Sequence, residues 1–277
     1  VAELIDSVPG VSLVNGSTPI GSGINIRGFG ANGTYGTDQK VAIQVDGASV
    51  GSEELYRIGT QLYTDPYLYK SVEVIRGTVG SFEYGSGIIG GVVRLETIDA
   101  SDLTGGETGL AFRQTLGGAT NMDGFNSSST LAIQPTENLE LLANYSWREQ
   151  HNQEDGNDNV IENSEFELPS YLLKARYTVG DHSMRASYTN SDHRYETTKF
   201  TVKNTAYIET GALVHDLRTG IEFIQKERLD ANSAPGGEDN RIALFVVDQI
   251  DFLDGWTFAP ALRFESSEVE GTLDDGS

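Results

Sequence analysis

Residues Tyr69–Thr97 read YKSVEVIRGTVGSFEYGSGIIGGVVRLET. The stretch parses as strand, glycine-rich turn, strand. Val72, Val74 and Arg76 alternate with Glu73 and Ile75, then Gly77, Gly80, Gly85, Gly87, Gly90 and Gly91 break the pattern. Val92–Thr97, rich in β-branched residues, resumes it. Upstream the chain is glycine-rich and turns often. Downstream it becomes a series of long segments of alternating polarity, and the change falls near Asp99–Gly106.

Two runs, Gly28-Phe-Gly30-Ala-Asn-Gly33 and Gly85-Ser-Gly87-Ile-Ile-Gly90, spell the dinucleotide fingerprint G-x-G-x-x-G. That fingerprint works only where a helix opens at the glycines, so that its N-terminal N–H groups hold a pyrophosphate. Here a strand (Gly91–Thr97) follows one run and a loop (Thr34-Tyr-Gly-Thr37) follows the other. Neither run continues into Gly-Lys-Ser/Thr, so a P-loop is also ruled out. The glycines serve tight turns and close backbone approach.

The same stretch resembles the end of the plug domain of TonB-dependent outer-membrane receptors, on Val72-Glu-Val-Ile-Arg-Gly77 and Tyr84-Gly-Ser-Gly-Ile-Ile-Gly-Gly-Val-Val93. Val8-Pro-Gly-Val11, Ile24-Asn-Ile-Arg-Gly-Phe-Gly30 and Val45-Asp-Gly-Ala48 are further family pieces in the expected order. Thr78 departs from the pattern, which has Pro after Arg-Gly. The pieces Asp65-Pro66, Tyr84–Gly87 and Thr97–Leu103 look most like the haem and haemoglobin branch.

Composition bounds the reading from another side. The chain has 277 residues, no Cys, 32 Gly and a formal charge of −22. Phosphate binding needs clustered Lys and Arg, so nucleic acid is not an expected partner. Without cysteine there is no disulfide framework. No apolar run of about twenty residues is present, which excludes a membrane-spanning helix but not membrane strands.

Within residues 1–104 the spacing predicts a short helix over Ala2–Ser7, strands at Ile24–Gly28 and Lys40–Asp46, a turn at Asp46-Gly47 and a short helix capped by Asp65-Pro66. Ser12–Gly23, Phe29–Gln39 and Ala48–Thr64 read as loops, the first with one short strand at most. From residue 105 the period is two. Leu139, Leu141, Ala143, Tyr145 and Trp147 form one face; Glu140, Asn144, Ser146 and Arg148 dominate the other, interrupted by Leu142. The same alternation predicts strands near 107–116, 124–134, 139–148, 168–179, 182–193, 197–209, 215–228, 241–252 and 256–269. Alternation over about ten residues suits a tilted membrane strand with one lipid face. Trp147, Tyr177 and Trp256 suit interfacial girdles, and short turns alternate with the long polar loops Glu149–Glu167 and Asp230–Asn240.

The expected fold is therefore an α+β plug domain (1–104) followed by antiparallel transmembrane β-barrel strands (105–277), an incomplete barrel of about nine strands. An open sheet in lipid leaves unpaired edges. Since the family's barrel has twenty-two strands, the rest is expected after Ser277, and the energy-coupling segment before Val1. The resemblance implies uptake of a scarce iron-bearing ligand, haem or haemoglobin favoured, across the bacterial outer membrane, with a TonB-type periplasmic energy-coupling protein, the extracellular ligand and outer-membrane lipid as partners. A ferric-siderophore or other small-ligand receptor, and a non-transporting β-rich surface binder, are the alternatives.

Arg27 and Arg76 each end an apolar plug strand before a glycine. The resemblance implies that they meet glutamates of the barrel wall. It also implies that the loops Ala31–Asp38 and Ala48–Tyr63 touch ligand, with Tyr35, Tyr56, Arg57 and Tyr63 as candidate contacts. The haem branch uses a histidine in the second loop; here that loop has none, and Tyr56 is the candidate oxygen ligand. His151, His182, His193 and His215 all fall in the barrel region and read as polar strand or loop residues. Asp155-Gly-Asn-Asp-Asn159 begins like a calcium loop, but Val160 and Phe166 stand where an EF-hand needs Gly and Glu, so it reads as a solvated acidic loop. Without Cys, and without His beside an activated Ser, no catalytic constellation, resident metal or cofactor is expected.

Overall fold

The structure is a computed structural model. It describes residues 8–15, 22–30, 41–46, 48–49, 66–78, 88–120, 123–162, 164–192, 195–228, 236–252 and 256–271. The helix expected over Ala2–Ser7 lies outside them. The chain divides into two compact units, one of Val1–Ile98, Gln114–Ser128 and Ser146–Pro169, the other of Asp99–Arg113, Ser129–Tyr145 and Ser170–Ser277.

The N-terminal part of the first unit holds two small sheets. Strands β1 (Val11–Asn15), β2 (Ser22–Ile26) and β3 (Phe29–Gly30) form one. Strands β4 (Val41–Val45), β5 (Ala48–Ser49), β6 (Tyr69–Arg76) and β7 (Gly91–Thr97) form the other, in the order β5-β4-β7-β6 with β4 parallel to β7. Alternate apolar residues close the core between them: Val11, Ile24, Ile26, Val41, Ile43, Val45, Val93 and Leu95. Asp65-Pro66 was expected to open a helix. The structure has a single 3₁₀ turn at Pro66–Leu68, because Tyr69 already begins β6.

Glycine is essential at two places in this body. A Cβ on Gly90 would sit 2.8 Å from the Phe29 Cβ and 3.0 Å from Val41 Cγ2. Gly91 has φ +150° and lies against the Ile75 carbonyl. Gly90, the last glycine of one such run, and Gly91 beside it let a strand press against its neighbours.

A four-residue helix α1 (Ser101–Thr104), not foreseen from sequence, ends at Gly105 with φ +73° and leads into the large sheet. Its strands are β8 (Gly109–Ala119), β9 (Gly124–Thr136), β10 (Leu139–Gln150), β13 (Phe166–Val179), β14 (His182–Asp192), β15 (Tyr195–Thr210), β16 (Leu213–Arg228), β17 (Gly237–Phe252), β18 (Trp256–Phe258) and β19 (Ala261–Gly271). Each pairs with its predecessor, except that β18 and β19 both pair with β17, as two halves of the single strand expected over 256–269. The break falls at Ala259-Pro260, since Pro has no N–H to give a ladder; the Pro260 carbonyl still accepts from Asp248 N–H at 3.0 Å. A small hairpin, β11 (Gln153–Glu154) with β12 (Val160–Ile161), stands in the long loop after β10.

The polarity of this sheet is the reverse of a water-soluble one. In β10, Glu140, Leu142, Asn144 and Ser146 are buried, whereas Leu141 and Tyr145 are exposed. Cross-strand register extends the inversion. Ala175, Ala186, Val202, Ile221, Leu244 and Phe264 lie directly opposite one another across six strands, and Leu173, Tyr188, Phe200, Phe223 and Ile242 form the next row. Leu173, Phe200, Leu244 and Phe264 are 45–65% exposed. A continuous exposed apolar band backed by a polar buried face is the pattern of strands that meet lipid. Tyr177 and Trp256 are exposed near the short-turn ends. Among the described residues no helix is long and apolar enough to cross a membrane.

Candidate functional site

Two polar constructions stand out, one in each unit. The first is at the turn Val8–Gly10. Ile24–Gly28 was expected to be strand, but β2 stops at Ile26, and Arg27 and Gly28 become the central pair of a hairpin turn, with φ +53° and +91°. Both positions of such a turn need positive φ, which suits Gly or Asn and strains Arg by about 1–2 kcal/mol. Two hydrogen bonds hold it: Arg27 N–H donates to the Gly10 carbonyl (2.8 Å), and Gly28 N–H donates to Asn25 Oδ1 (2.8 Å). The Arg76 guanidinium arrives from β6 and donates to the neighbouring Pro9 carbonyl at 3.0 Å. The two arginines singled out in the sequence, 49 residues apart in numbering, thus converge on one turn and both stay exposed. The other candidates, Tyr35, Tyr56, Arg57 and Tyr63, lie outside the described residues.

A buried carboxylate fixes the opposite end of this small sheet. Asp46 (φ +51°) follows Val45 at the expected Asp46-Gly47 turn, where Val45 pairs with Ala48. Its carboxylate accepts from Thr97 N–H (3.0 Å) and Thr97 Oγ1 (2.6 Å), tying the end of β4 to the end of β7.

The second construction begins two residues later, in the other unit. Asp99, 1% exposed, meets Lys174 Nζ at 2.7 Å with its Oδ1, and Arg176 (3.3 Å) and Arg185 (3.5 Å) with its Oδ2. Arg176 also pairs with Glu140 and donates to Ser101 Oγ at 2.9 Å, while Ser101 N–H donates to Glu140 Oε2 at 2.9 Å. Thr104 Oγ1 donates to Gln134 Oε1 (2.7 Å), and Gln134 Nε2 donates to the Gly106 carbonyl (3.1 Å). The segment from Asp99 to Gly106 is thereby bound to β9, β10, β13 and β14. Sequence reasoning placed a boundary there but missed its chemistry, because the partners are 77 and 86 positions away.

The loop Asp155–Asn159 uses its first carboxylate on itself. Asp155 Oδ1 accepts from the N–H groups of Asn157 (2.8 Å) and Asn159 (3.0 Å), and the Asn159 amide adds a bond to Oδ2 at 3.0 Å. These donors, the Asn159 side chain first, hold the Asp155 carboxyl below its usual range.

Comparison with known proteins bears on both constructions. Residues 1–92 match the TonB-dependent receptor plug domain. The chain is 30% identical over 184 residues to the TonB-dependent heme receptor A of Haemophilus ducreyi, covering 64% of this chain and 23% of that protein. It is 29% identical over 167 residues to the hemin receptor of Yersinia enterocolitica, covering 58% and 23%. Among solved structures, the FrpB iron transporter of Neisseria meningitidis (F5-1 variant) superposes with a TM-score of 0.77 at 20% identity, over 97% of this chain and 46% of that one. The chain thus spans less than half the length of these relatives. The plug signature in the two small sheets, the inverted polarity of the large one and these likenesses agree: residues 1–92 are a TonB-dependent receptor plug domain, and the chain is similar to receptors of that family, haem receptors among them.

Proposed function

We propose that this protein is an outer-membrane receptor of a bacterium that binds haem, or a protein carrying it, outside the cell. A TonB-type protein in the periplasm would supply the energy for uptake. Residues 1–104 form the plug and residues 105–277 the N-terminal part of the barrel. The observation that carries the reading is the 184-residue likeness to a haem receptor, longer than the matched plug region. The exposed apolar band supports lipid as a partner. In this reading the protein binds and translocates and is not an enzyme.

Arg27 and Arg76 are the plug cations that meet carboxylates of the barrel wall. Their shared anchorage on the Pro9-Gly10 turn supports a role as one unit, since moving that turn moves both. Tyr35, Tyr56, Arg57 and Tyr63 are the proposed ligand-facing residues. One observation favours the siderophore alternative: Ala48–Tyr63 contains no histidine to serve as an iron ligand. Titration of the complete protein in detergent with haemin separates the two. The haem reading expects a saturable shift of the Soret band; an unshifted band through a tenfold excess of haemin contradicts it.

A further inference from the structure

The register of the large sheet brings four cations into one line. Arg176 lies opposite Arg185, Arg185 opposite Lys203, Lys203 opposite Gly220, Gly220 opposite Phe245 and Phe245 opposite Arg263. This row crosses six strands and contains no acid, in a chain with 41 acidic and 19 basic residues. It lies on the polar, largely buried face, since the adjoining residues of the same face include Lys174, Ser187, Thr201, Glu222 and Ala243, all buried. The row itself is less covered: the side chains of Arg176, Arg185 and Arg263 remain 24%, 25% and 20% exposed.

Two uncharged positions separate Lys203 from Arg263. Gly220 leaves room for the Phe245 ring, which occupies the place a Cβ would take, 2.5 Å from Cζ. The Lys203 ammonium sits 5.5 Å over that ring. The flanks are tethered by carboxylates from outside the row: Asp99 and Glu140 at Arg176, Asp99 at Arg185, and Glu222 and Glu265, each at 2.9 Å, at Arg263.

We infer that this row is a contact surface for the carboxylates of an anionic ligand passing along the inner face of the sheet. Rows of Lys and Arg serve anion pathways elsewhere because several moderate attractions in series hold an anion without trapping it. Asp99 is shared by Lys174, Arg176 and Arg185, so either arginine can turn to a ligand's carboxylate while Asp99 keeps a cation. The inference rests on the haem reading above and adds to it the group recognised, the ligand's propionate carboxylates rather than its iron.

Uptake of haemin and of its dimethyl ester, which lacks both carboxylates, by cells making the complete protein tests this. Lys203→Glu is the main variant, because Lys203 lies near the middle of the row. Lys203→Gln is the milder one, and heat-modifiable migration on gels reports folding of each. The inference expects faster uptake of haemin than of the ester by the wild type, and a loss of haemin uptake of fivefold or more in Lys203→Glu. Lys203→Gln should fall between, and the ester should be unaffected by either. Equal uptake of both compounds by the wild type, or an equal loss of both in folded Lys203→Glu and Lys203→Gln, overturns the inference and leaves the haem reading standing. Absence of uptake of either compound by the wild type overturns the haem reading, and the inference with it.

Discussion

Asp99→Ala should destabilise the protein by about 3–5 kcal/mol, among the largest effects expected of any single substitution in this chain. The size follows from what the mutation leaves behind. Lys174 Nζ, in a side chain only 2% exposed, loses the carboxylate 2.7 Å away and remains a buried ammonium. Removing one partner of a buried pair is costly for that reason, whereas removing both can be nearly neutral. The double variant Asp99→Ala, Lys174→Met should therefore recover more than half of the loss. Urea unfolding in detergent micelles, followed by tryptophan fluorescence, measures both. Recovery is expected to be incomplete because Asp99 also serves Arg176 and Arg185. Equal destabilisation by the single and double variants would show that the Lys174 pair is not what holds the junction.

Leu244→Arg should cost about 2–4 kcal/mol when folding is measured in lipid vesicles, the range for a cation placed near the middle of a barrel's lipid face. Leu244 is 50% exposed and lies between Ile221 and Phe264 in the apolar row. On a water-soluble sheet the same substitution would be close to neutral, since an exposed arginine is well solvated. The effect thus discriminates between environments. Thr219→Ser, on the same face toward the short-turn end, serves as a control of small expected effect.

Much of this fold was legible because its rule is local. A strand with lipid on one side writes its environment into alternate residues, and the segments around Leu139–Trp147 and Tyr171–Tyr177 carry that signal without reference to any partner. The nine segments expected beyond residue 105 match the described strands closely. Boundaries shifted where backbone chemistry intervened. Pro260 split the last strand, and β17 begins at Gly237, inside the stretch expected to be loop.

The functional groups were legible only in part. Arg27 and Arg76 drew attention as charges ending apolar runs, but their meeting at Pro9-Gly10 depends on a left-handed arginine that propensity argues against. The Asp99 cluster and the cationic row depend on strand register. Arg185 and Lys203 are opposite each other through the register of β14 on β15, and nothing in their spacing along the chain announces it. A one-residue slip would send every one of these charges to the other face.

The exposed face of the large sheet is expected to meet lipid, and its polar face is not. The chain contains no cysteine, so single cysteines can be placed in turn at positions 139–148, labelled with a fluorophore, and reconstituted in vesicles containing brominated lipid. Strong quenching is expected at 139, 141, 143, 145 and 147, and weak quenching at the positions between them. Uniform quenching, or labels that answer only to a water-soluble quencher along the whole strand, would contradict it.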